Sequence, residues 1–141
     1  MAAAKRTGVY LSESTLNIIG PANSLSGRLN TICHNYDRIT RAELPALTLN
    51  EWSLLCDILN ATVVEDNTGD HLWADIAESG RLDGMAEKWE LDTEEFAARV
   101  RDMSIASRCA ILDVVLRFWK GRDEHSEGME KMLLEAGAKI K

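Results

Sequence analysis

The three cysteines and three histidines are the residues that nucleophilic or metal chemistry would need, and their spacing supplies neither. Cys33 and His34 are adjacent, and neighbours on a helix point about 100° apart, so they cannot share a site. Cys33, Cys56 and Cys109 all fall on apolar helical faces. A thiol there behaves as a small hydrophobe, so all three are expected in the core. His71 and His125 have no partner at metal-ligand spacing, so neither a metal nor any other cofactor is expected. Gly-x-Ser-x-Gly, a Gly-rich phosphate loop and His-Glu-x-x-His are all missing, which argues against an enzyme. The acid pairs Glu94-Glu95 and Asp123-Glu124 open predicted helices, where carboxylates oppose the helix dipole without doing acid–base work. Trp52, Trp73, Trp89 and Trp119 are expected to build the core of the C-terminal region.

A different chemistry, polyanion recognition, is suggested by the first forty residues. Arg6-Thr7-Gly8-Val9-Tyr10-Leu11 alternates, so that Thr7, Val9 and Leu11 face one way and Arg6, Gly8 and Tyr10 the other. Ser12 is placed to cap a short helix carrying Leu16 and Ile19, which Gly20-Pro21 ends. Ser24 or Ser26 caps the next helix. Its apolar positions Leu25, Leu29, Ile32, Cys33, Tyr36 and Ile39 keep to one stripe. The unpaired amides at that helix's start suit a phosphate. A lone strand of six residues is unstable without a partner. Nothing downstream offers one, so the simple solution is the same strand of a second chain, antiparallel about a two-fold axis. A ribbon of that width fits the major groove of B-DNA.

Charge is divided in the same place. The net charge is −7. Residues 1–45 hold Lys5, Arg6, Arg28, Arg38 and Arg41 against Glu13, Asp37 and Glu43, a local balance of +2 that leaves −9 to the remainder. The positive part is able to approach a polyanion, and the acidic part is repelled from one. Leu44-Pro45-Ala46 reads as the linker between the two.

Beyond it, Thr48 and Glu51 have capping-box spacing. The helix they open carries Leu49, Trp52, Leu55, Cys56 and Leu59. Further helices are expected at 71–78, at 82–89, after Asp92 or Thr93, from Ser104 to Gly121, and near 124–136. The chain is long enough to bury a core. No stretch approaches the roughly 20 apolar residues of a membrane span, and the start is not a secretory signal. Three widely spaced cysteines argue against a disulfide framework, so a cytoplasmic setting is expected.

The run Arg6–Ser12, then Asn23-Ser24-Leu25-Ser26, then the Leu29/Ile32/Cys33/Tyr36 stripe resembles the ribbon-helix-helix family of DNA-binding proteins. The resemblance covers residues 5–42. It implies an intertwined homodimer acting as a repressor or antitoxin-like regulator. By position, Arg6, Gly8 and Tyr10 would face the bases, and Ser24, Ser26 and Arg28 would hold phosphates. The expected fold is therefore mainly α. Residues 1–43 would form a ribbon-helix-helix module that binds duplex DNA, and residues 44–141 an acidic helical bundle. Two other readings stand beside it. Residues 6–11 are a lead-in and the two helices join the bundle, or the chain is an adaptor whose acidic domain binds a basic partner protein.

Overall fold

The computed structural model describes residues 8–21, 23–61, 84, 87–121 and 128–141. They hold six helices and one two-stranded sheet, in the order α1 (Glu13–Ile19), α2 (Leu25–Glu43), β1 (Ala46–Leu47), α3 (Leu49–Ala61), α4 (Thr93–Asp102), α5 (Ile105–Gly121), α6 (Met129–Glu135) and β2 (Lys139–Ile140). The fold is mainly helical. Among the described residues no helix is long and apolar enough to cross a membrane. The helix expected at 71–78 and Trp73 lie outside the described residues, as does most of the one expected at 82–89. The chain divides into two compact units, Met1–Arg38 and Ile39–Lys141. That division falls inside α2, rather than after it as the charge pattern suggested.

In the first unit, the Ser12 hydroxyl accepts the Thr15 amide at 3.1 Å and caps α1. Gly20 ends the helix at φ 73°, a region that costs an L side chain energy but not glycine. Residues 8–12 carry no regular secondary structure in the single chain. Residues 8–12 pair with no strand among the described residues, and the first two residues of the expected strand, Arg6 and Thr7, lie outside them. α2 begins at a Ser24 cap, whose hydroxyl accepts the Gly27 amide at 3.1 Å.

The second unit is built around α3. Trp52, Ser53, Leu54, Leu55 and Cys56 are all buried in succession. A helix buried on every side is central, not amphipathic, so the one-sided stripe expected here understated its burial. It packs against α5 and α6. Phe96, Ala97 and Val100 of α4, Ile111, Val115 and Phe118 of α5, and Leu133 of α6 complete the cluster. Trp89 and Trp119 pack against it while staying partly accessible.

The starts of α3, α4 and α5 are locally encoded. Thr48 and Glu51 form the full capping box, with the Thr48 amide donating to Glu51 Oε2 at 3.0 Å and the Glu51 amide to Thr48 Oγ1 at 3.2 Å. Asp92 accepts the Glu95 amide at 2.9 Å, and Ser104 accepts the Ser107 amide at 3.1 Å. α6 is shorter than its periodicity suggested. It begins after Gly128, which has no side chain to cap it.

The segment expected to be a linker is instead part of the fold. Leu44 and Leu47 are buried, and β1 pairs in parallel with β2, Ala46 opposite Lys139 and Leu47 opposite Ile140. The chain is brought there by the turn after α6. Gly137 at φ 96° lets its amide donate to the Leu134 carbonyl and the Ala138 amide to the Leu133 carbonyl, a Schellman closure with Leu133 and Ala138 both buried. The last residues then reach back. Trp52 Nε1 donates to the Lys139 carbonyl at 3.0 Å, and the Lys141 amide to the Leu47 carbonyl at 2.8 Å. Lys139 Nζ donates to the carbonyls of Leu44 at 3.2 Å and Arg41 at 3.4 Å.

Candidate nucleic-acid interface

Of the residues expected to face bases, Gly8 and Tyr10 are exposed, Tyr10 completely, and Arg6 lies outside the described residues. Val9 is 62% exposed and Leu11 half-buried. A Cβ at Gly8 would meet nothing within 4 Å, so packing within one chain does not require a glycine there.

The residues expected to hold phosphates gather at the start of α2. Ser24 is the cap, Ser26 stands in the first turn, and Arg28 is one turn in; all three are exposed. Because Ser24 Oγ accepts the Gly27 amide, its own O–H proton is left to donate elsewhere. Arg28 has a second role that spacing did not reveal. Its Nε donates to the Ile19 carbonyl at 3.2 Å, tying the last turn of α1 to the first turn of α2. A cation on a helix C-terminus is favourable, and the guanidinium retains its terminal N–H groups for another acceptor. No acidic residue stands in the first turn of α2 or of α5, whereas α1, α3, α4 and α6 each have at least one.

The apolar stripe of α2 is on the surface. Leu25, Tyr36 and Ile39 are 44–55% exposed, with Leu29 and Ile32 half-buried between them. On α1, Leu16 and Ile18 are exposed as well. Cys33, expected in the core with the rest of this stripe, is exposed, and Cys109 is half-buried; Cys56 alone of the three is fully buried. The stripe is a continuous face, but within one copy that face is not a core.

Elsewhere the polar clusters serve the fold. Buried Glu51 pairs with Arg99 of α4 while capping α3. Asp57 Oδ2 accepts Trp89 Nε1 at 2.7 Å and faces Lys88 Nζ at 3.3 Å, and Lys88 lies over the Trp89 ring. The capping spacing announced Glu51 but carried no sign of Arg99, 48 residues away. Among the described residues no group of His, Cys, Asp and Glu is arranged to hold a metal ion. No protein-family model, curated protein or solved structure matches the chain.

Proposed function

We propose that the N-terminal segment pairs with that of a second copy, and that the dimer binds duplex DNA as a repressor or antitoxin-like regulator. The observation that carries this reading is the exposed apolar face of α2 on the segment with the chain's positive balance. Roughly 25 cal/mol is gained per Å² of apolar surface removed from water, so exposed leucines and isoleucines on one face favour association. The same association gives residues 6–11 a strand partner. Arg6 and Tyr10 of both copies then line one side of a ribbon. Ser24, Ser26 and Arg28 sit at a helix start whose first turn carries no carboxylate, where backbone amides can donate to a phosphate oxygen and the dipole favours its charge.

The test measures oligomeric state and duplex binding of the full chain together. A dimer at micromolar concentration is expected, with log affinity falling against log salt by about 0.9 per phosphate contacted. Arg6→Ala with Tyr10→Ala is expected to remove sequence preference, while Arg28→Ala weakens binding to all sequences alike. A monomer that binds no duplex at low salt overturns the proposal. Such a result would favour the adaptor reading, in which the acidic second unit receives a basic partner.

A further inference from the structure

We infer that residues 139–141 form a releasable strap over residues 39–47, with the Lys139 ammonium as its catch. This inference is independent of DNA binding. It rests on how little of the strap is core and how much is hydrogen bonding. β1 and β2 contribute two residues each. Lys139 is exposed, yet its Nζ holds the Leu44 and Arg41 carbonyls, two acceptors that the end of α2 leaves without helical amides. The Lys141 amide fastens to the Leu47 carbonyl at 2.8 Å. Ser107 Oγ adds a bond to the Glu43 carbonyl at 2.8 Å from α5. The strap meets the deep core through the half-buried Ile140 and one indole bond, from Trp52 Nε1 to the Lys139 carbonyl.

A segment held by few buried side chains and many exposed hydrogen bonds opens at lower free energy than the core beneath it. The strap and the exposed last turn of α2, Arg41–Glu43, therefore open as one unit while the buried Leu47, Leu54, Leu55 and Ile58 stay closed. The lysine is suited to be the catch. It is a point charge on a flexible stem, it lies against the negative end of a helix, and it leaves its carbonyls without moving the backbone. When it leaves, the last turn of α2 loses its cap and shortens. The chain thus has two lengths of α2 available, chosen by one side chain near its other end.

Amide hydrogen exchange on the full chain tests this. Lys139→Met keeps the backbone bonds of β2 and the stem, and removes only the charge. Exchange of amides 40–44 and of Lys141 is expected to rise together by about tenfold, with amides 54–58 unchanged. Lys139→Arg is expected to hold the slow rates. Unchanged exchange at 40–44 would overturn the inference, as would acceleration that spreads equally into 54–58, which is global loss of stability. Arg behaving like Met would also overturn it, because the charge would then not be the catch.

Discussion

Glu51→Ala offers the sharpest check on how the second unit is held. Glu51 is 4% exposed, and its two carboxylate oxygens are divided between two tasks. Oε2 accepts the Thr48 amide and closes the capping box of α3. Oε1 pairs with Arg99 of α4, whose side chain is 38% exposed and lies over the Phe96 ring. Losing the capping half costs about 1 kcal/mol. Leaving the Arg99 charge against the core without its partner costs ~1–2 kcal/mol, less than for a fully buried pair because Arg99 still reaches water. The lost stem adds ~1 kcal/mol of burial. The expected destabilisation is therefore about 3–4 kcal/mol in urea unfolding followed by tryptophan fluorescence, with the slope unchanged. Glu51→Gln keeps the acceptor for Thr48 and the shape, and is expected to cost about 1–2 kcal/mol. A double-mutant cycle with Arg99→Met should give a coupling of ~1–2 kcal/mol. An alanine variant within about 0.5 kcal/mol of the parent would refute this accounting. A glutamine variant as damaging as alanine would refute the division of tasks.

Two further outcomes are expected. Gly137→Ala places an L side chain at φ 96° with no neighbour within 4 Å, so its cost is conformational and about 1–2 kcal/mol in the same urea assay; a neutral effect would mean that the turn into β2 relaxes. In thiol titration of the native protein, Cys33 should react with an aromatic disulfide reagent and Cys56 only as the protein unfolds, because one is exposed and the other 1% exposed; equal rates would contradict the burial pattern.

What was legible in the sequence was mostly local. Ser12, Ser24, Thr48, Asp92 and Ser104 all cap the helices they precede, because a cap and its amide are three residues apart and need nothing else. Gly20 marks the end of α1 because a glycine adopts the positive φ that closes the helix. Faces were legible and their burial was not. The stripe of α2 is present but exposed, and α3 is buried beyond its stripe, because burial depends on what other elements cover. Pro45 read as a linker because proline and its small neighbours look like punctuation. The strand beside it exists only because residues near the other end of the chain lie against it. Of the site, the Ser24 cap and the charge balance were visible, while the bond from Arg28 to Ile19 spans the break between two helices, which helical spacing does not reveal.

The parallel pairing of β1 with β2 also dictates an order of events. Its paired residues, Ala46 with Lys139 and Leu47 with Ile140, are about 93 positions apart, so the chain must close a long loop before these contacts reward it. The caps and turns of α1 and α2 need no such closure. During synthesis the N-terminal helices are therefore free to form while the second unit still waits for residues 139–141. If two copies meet through the exposed faces of those helices, their encounter need not wait for either copy to finish folding.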